Sequence, residues 1–287
     1  MGKRVGAKTA LAKAAAKVLK SHPIGGAKIS PGTPVTRDWL AYCFHLFITI
    51  EEKEIPSKAA DAPGSRLLGR PLLPAGVKWP QGYYFYAQLE MRELTAHDLL
   101  GVLPDSGTLY LFYNPMAKDF LPASKTAAKA VFVAGETAPR TLHAVPPKSK
   151  LPEGGKHYYK DFVGKSYRLT FEPVFAFDNV HTLPAGLVEA MTKALGIRCV
   201  PAPEFGAATT MFGKPVSWEG EGEEGLFAPD EWDWEDGLPP SDPDRVLLLQ
   251  RDFVDSHLHF WGNRKGDATG RLLAARGHGV RRLITVG

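Results

Sequence analysis

Only two cysteines, Cys43 and Cys199, occur in 287 residues, far apart and without Cys-x-x-C or Cys/His spacing. A disulfide framework and a thiolate zinc site are therefore not expected, and two lone thiols read as reduced and cytoplasmic. Long apolar runs are missing too. The longest nearly unbroken one, Trp39 to Ile50, is interrupted by His45 and Thr49. A bilayer span needs about 18 or more residues, so this run reads as core. The first twenty residues, MGKRVGAKTALAKAAAKVLK, lack the apolar stretch of a secretory signal. They also lack any acid, against six basic residues, whereas residues 216–244 carry eleven acids and no Lys or Arg. No phosphate loop of the Gly-x-x-x-x-Gly-Lys-Ser/Thr kind is present.

What is present suffices for a folded protein. Hydrophobic residues make up 44% and charged residues 23%, which excludes a wholly disordered chain. The 29 glycines and 24 prolines favour short elements joined by turns over a long-helix bundle. The net charge of +4 is unevenly spread: residues 118–168 hold ten basic against four acidic residues. Such asymmetry bears on partners, not on fold.

Residues 1–35 read as a basic extension and linker. On a helical wheel Leu11, Ala15, Val18 and Leu19 fall opposite Lys13, Lys17 and Lys20. The apolar side is mostly alanine, so residues 1–30 are expected to pack on nothing. Residues 36–287 form the folded domain. Alternating apolar residues predict strands over 37–50, 83–91 and 108–114, with further strands over 131–134, 166–177, 246–253 and 280–286. Short helices are expected over 92–100 and 267–276. A longer one follows Pro184, stops at Gly196, and has Leu187, Met191 and Leu195 on one face. Strands outnumber helices and no β-α-β rhythm appears. The expected fold class is α+β, mostly antiparallel sheet with few helices.

The chain resembles itself. Leu68-Gly69-Arg70-Pro71 returns as Phe212-Gly213-Lys214-Pro215. Each is followed by a tryptophan, Trp79 or Trp218. Then comes a strand with Gln-x-acid, Gln88 and Glu90 or Gln250 and Asp252, and an aromatic strand ending in Asn. Two degenerate half-repeats, at about 60–117 and 205–265, are the expectation. Spacing differs because the second holds the acidic insert 216–244.

Together SRLLGRPLLPAGVKWP, FYAQLEM, LPDSGTLYLFYN, FGKP, VLLLQRDF and HLHFWGN resemble the YwqG-like family of bacterial proteins, over about residues 60–265. That resemblance implies a cytoplasmic, duplicated α+β domain of unknown function, in some genomes near toxin–immunity gene clusters. The family usually has a Gly-Gly pair where Leu68-Gly69 stands here. Its second Gly-x-Pro stretch usually starts with His and leads promptly to Gln, whereas here Met211 stands before Phe212-Gly213 and no Gln follows nearby.

Three constellations could carry chemistry. Gln88/Glu90 and Gln250/Asp252 are polar pairs inside apolar strands; each either ties strands together or, with Trp79, lines a ligand cleft. Asp255, His257 and His259 share a strand face and could chelate a metal. The string DSHLHF is similar to the opening strand of amidohydrolase barrels, but too few residues follow it for a (β/α)8 barrel. Trp232 and Trp234 among the acids of the insert could dock a basic protein. The expected function is a non-catalytic binding or interaction domain without cofactor. The alternatives are a metal-dependent hydrolase on Asp255, His257 and His259, and an immunity-type partner of a bacterial toxin. Nucleic acid is not an expected partner.

Overall fold

In the computed structural model the described residues are 7–21, 44–56, 62–98, 103–114, 128–135, 140–146, 156–177, 186–201, 209–212, 245–253, 256–263 and 280–286. The acidic insert, Trp218, Asp255 and the helix expected over 267–276 lie outside them.

Four helices are described: α1 (Ala7–Ser21), α2 (Met91–Thr95), α3 (Lys156–Val163) and α4 (Leu187–Leu195). The strands are β1 (Phe44–Glu54), β2 (Arg66–Leu67), β3 (Leu72–Pro74), β4 (Tyr84–Glu90), β5 (Thr108–Tyr113), β6 (Ala128–Val133) and β7 (Arg140–Leu142). They continue with β8 (Tyr167–Phe177), β9 (Cys199–Pro201), β10 (Thr210–Met211), β11 (Arg245–Phe253), β12 (Ser256–Asn263) and β13 (Val280–Val286). An 11-stranded sheet runs β13-β12-β11-β10-β1-β8-β2-β4-β5-β6, with β9 parallel to β8 and every other pairing antiparallel. It curls until β13 approaches β6. A second sheet, β3 with β7, has two strands. Mostly antiparallel sheet with few helices is thus the architecture, and none of the described helices is long and apolar enough to cross a membrane.

Alternation sets the two faces. Leu46, Ile48 and Ile50 of β1, Tyr84 and Tyr86 of β4, and Leu109 and Leu111 of β5 join the main core. Phe162 of α3 and Leu187 and Met191 of α4 fill that inner side. Phe162 stacks on Tyr84 at 5.0 Å between centroids. On the outer side, Leu73, Trp79, Tyr83, Phe85, Tyr110 and Phe112 form a second cluster.

Strand order reads alike from both ends of the sheet. At its centre β1 pairs with β8, Glu51 opposite Thr170, and the Thr170 hydroxyl donates to Glu51 at 3.2 Å. Outward from each lies a two-residue strand, β10 beside β1 and β2 beside β8. Next come β11 or β4, then β12 or β5, then β13 or β6. Thr210 pairs with Gln250 as Arg66 pairs with Gln88. The β11–β12 ladder is irregular between Leu247 and Leu249, as the β4–β5 ladder is between Phe85 and Ala87. Each two-residue strand leads into a left-handed residue, Leu68 at φ 57° and Phe212 at φ 62°. That conformation costs an L-residue about 1–2 kcal/mol. Both side chains are buried, which offsets the strain.

The N-terminal helix corrects one expectation. Residues 1–30 do not pack on nothing: α1 lies against α4, and Ala14, Ala15 and Val18 are buried in the main core. Alanine buries little area, but its small side chain lets two helix backbones come close. Lys13, Lys17 and Lys20 stay on the exposed side. Burying a valine alone is worth about 1.5–3 kcal/mol, and each kcal/mol moves Tm by about 2–4 °C in a chain of this size. Deleting residues 1–21 is therefore expected to lower Tm by about 5 °C or more in calorimetry. An unchanged Tm would show the docking to be energetically empty.

Candidate functional site

The outer face of β2, β4 and β5 carries a layer of polar side chains, roofed by the β3–β7 sheet. Gln88 is its centre and is fully buried. Its Oε1 accepts the Leu72 N–H at 2.9 Å. Its Nε2 donates to the Gly64 carbonyl at 3.1 Å and to Glu90 Oε1 at 2.9 Å. The Tyr110 hydroxyl donates to the Leu72 carbonyl at 2.8 Å. Both backbone groups of Leu72 are thereby held by the large sheet while Leu72 faces Leu142 in the small one. Burial pushes the Tyr110 pKa up to about 12, so this donor keeps its proton at neutral pH.

Glu90 extends the layer. It accepts from Thr108 Oγ1 at 2.9 Å and is ion-paired with Arg140 of β7. Burial acts to lower the Arg140 pKa, but the hydrogen bond and charge of Glu90, with Tyr110, raise it on balance. The Glu90 N–H donates to Ser65 Oγ at 2.8 Å, and the Ser65 N–H donates to Glu93 at 2.9 Å. Arg66, also fully buried, donates to the carbonyls of Ala62 and Arg70. Chemically this is a set of ties. Its carboxylate is held by a cation and two neutral donors, and Gln88 spends its amide chiefly on main chain.

Trp79, expected beside the Gln pair as a cleft wall, is buried in the outer cluster. Its Nε1 donates to the Tyr83 carbonyl at 2.8 Å, and its ring lies 6.1 Å from Phe112 and 6.0 Å from His143.

The other half of the sheet brings a different set to the matching register positions. Gln250 stands opposite His259, and Asp252 opposite His257. These replace Tyr110 opposite Gln88 and Thr108 opposite Glu90. Asp255, proposed with the two histidines, lies outside the described residues. The groups Gln88/Glu90 and Gln250/Asp252 lie on separate halves, with four strands between β4 and β11.

A further charged cluster, missed in the sequence, lies on the inner face. Glu52 follows Leu46, Ile48 and Ile50 at period two on β1, so it takes a core position. Arg251 meets it with two bonds, Nε to Oε1 at 2.8 Å and a terminal nitrogen to Oε2 at 2.7 Å. Thr209 also donates to Glu52. The Arg251 guanidinium sits 5.9 Å from the Tyr167 ring centre and beside the fully buried Tyr86, whose pKa burial raises strongly. That period-two continuation of an apolar stripe into a Glu was the available signal. Nothing in the sequence named its partner.

Residues 65–194 match the family model of a domain of unknown function (DUF1963). No curated protein matches the chain. The DUF1963 segment begins at Ser65, which bonds both Glu90 and Glu93, and ends inside α4. It contains the side chains of the Gln88–Glu90 layer, while the Gly64 and Ala62 carbonyls that Gln88 and Arg66 bond lie just before it. β1 and the strands β9 to β13 lie outside it.

Proposed function

We propose that the chain is a cytoplasmic, non-catalytic binding module of the YwqG-like kind, made of two related halves, whose acidic stretch 216–244 receives a basic protein. The observation that carries the non-catalytic part is the bonding of Gln88 and Glu90. Their polar atoms are committed to Leu72, Gly64, Thr108 and Arg140, which makes them fasteners of β3–β7. The matched strand order, the paired bulges and the left-handed Leu68 and Phe212 support the duplication. Eleven acids and two flanked tryptophans, Trp232 and Trp234, support the docking segment. Clustered charge steers encounter more than it holds a complex.

The test places a photoreactive amino acid at Trp232 in the full chain to capture the partner, then measures association by stopped flow. Replacing Glu221, Glu223, Glu224, Asp233 and Glu235 with Gln or Asn is expected to leave the fold intact. It should slow association, most at low salt where screening is weakest. An unchanged, salt-independent rate would remove the acidic stretch from the interface.

A further inference from the structure

On the inner face, matching positions of the two halves carry opposite chemistry. The Ile50 N–H donates to the Thr209 carbonyl at 3.0 Å, and the Leu169 N–H donates to the Ser65 carbonyl at 3.1 Å. Thus β1 and β8 meet their short neighbours in the same way, and two residues further on Glu52 matches Phe171. Thr210 pairs with Gln250 as Arg66 pairs with Gln88, so one residue further on Arg251 matches Leu89. Leu89 is in the main core and Phe171 packs against it. Glu52 and Arg251 instead form a bidentate ion pair. An apolar pair of similar volume holds a fold as well as a buried ion pair does, or better. The first half shows apolar residues accepted at these positions, so the ion pair has a use other than holding the sheet.

Other polar side chains gather on the pair. The Arg251 guanidinium sits over the Tyr167 ring at 5.9 Å. Tyr86 has Arg251 and Glu52 as charged neighbours, and its ring lies 6.5 Å from that of Tyr113. Thr209 donates to Glu52. These six side chains come from β1, β4, β5, β8, β11 and the residue before β10. Four strands separate β4 from β11, so Tyr86 and Arg251 meet through the curl of the sheet, where its two halves face each other. Solvent reaches the cluster: Arg251 and Glu52 are partly exposed, and Tyr113 and Tyr167 are half-buried. Polar groups converging from several elements on a concave apolar surface are the usual composition of a ligand site.

We propose that Glu52, Arg251, Thr209, Tyr86, Tyr113 and Tyr167 bind a small, uncharged, hydroxyl-rich molecule of the sugar class. The two charges cancel, so a ligand with net charge would bring an unbalanced charge into a partly desolvated site. A hydroxyl both donates and accepts, and so serves the carboxylate, the guanidinium and the phenols alike. Tyrosine offers an apolar ring and a polar tip, matching the C–H faces and the hydroxyl rim of a sugar. This site stands apart from the acidic stretch 216–244, and its test does not involve that stretch.

The experiment is saturation-transfer NMR on the tag-free full chain, with glucose, galactose, ribose and N-acetylglucosamine as probes. Transfer to at least one is expected, with Kd of about 1 mM or tighter. Tyr113→Phe and Tyr167→Phe each remove one hydroxyl and should weaken binding about 2–10-fold. Glu52→Leu/Arg251→Met should abolish transfer while urea unfolding shows the fold retained. Glu93→Gln, on the outer face, should leave binding unchanged. Glucosamine and glucuronate, the charged counterparts of glucose, should bind more weakly than glucose. The proposal is overturned if none of the four probes receives transfer, if the folded ion-pair variant binds as the native chain does, or if the charged sugars bind as tightly as glucose. Should the ion-pair variant fail to fold, the Tyr113→Phe/Tyr167→Phe variant decides, and unchanged affinity there overturns the proposal.

Discussion

Replacing Arg251 by methionine is expected to lower stability by about 3–5 kcal/mol, the usual penalty for removing one partner of a buried ion pair. The side chains of Arg251 and Glu52 are 15% and 18% exposed, and their contact is bidentate. Taking away the guanidinium leaves the Glu52 carboxylate on a core-facing stripe with Thr209 as its remaining donor. It also removes the cation beside Tyr86 and Tyr167. The double variant Glu52→Leu/Arg251→Met should recover most of the loss, because an apolar pair of similar volume satisfies the same site. Urea unfolding of the three proteins checks this. A single-variant loss below about 1 kcal/mol would put the pair in the range of solvated surface bridges and contradict its burial.

Gln88→Ala comes next in size. The substitution strands the Leu72 N–H and the Gly64 carbonyl in a buried layer. Each orphaned buried group costs about 1–3 kcal/mol, so a loss of about 2–4 kcal/mol is expected. Its direction in space also matters. The roof of β3 and β7 should loosen before the sheet does, seen as faster hydrogen exchange at Leu72 and Leu142 than in the native protein. Tyr110→Phe removes the bond to the Leu72 carbonyl and should cost about 1 kcal/mol. If Gln88→Ala were as mild as Tyr110→Phe, the amide would be replaceable by water and the clamp would lose its standing.

Much of the strand layout was legible because it depends on local alternation. The stripe of Leu46, Ile48 and Ile50, the runs that became β4 and β5, and the helix between Pro184 and Gly196 all declare their faces within a few residues. Their sites were less legible because partnership across a sheet is not local. Gln88 and Glu90 stood out as polar residues in an apolar strand. The Arg140 that meets Glu90 lies 50 residues on, in a three-residue strand with no periodicity to read. Arg251 and Glu52 are separated by 199 positions. The N-terminal helix was misjudged for a different reason: an alanine face looks poor in area, and its value lies in how closely α4 can approach. Positive φ at Leu68 and Phe212 had a trace in the sequence only through resemblance, which places glycine at the first of these positions.

The central β1–β8 ladder has a consequence for assembly. Two strands of eleven residues run antiparallel there, with Glu51 facing Thr170 and the same succession of strands beyond each. That is the arrangement an isologous dimer has at its two-fold axis, where one edge pairs with its own copy. Here a single chain supplies both edges. A fragment limited to residues 65–194 would carry β8 without β1 and so expose an edge of eleven residues, long enough to recruit another strand. The N-terminal strand β1, made first, serves as the permanent occupant of that edge. It holds the place that a second molecule would otherwise take.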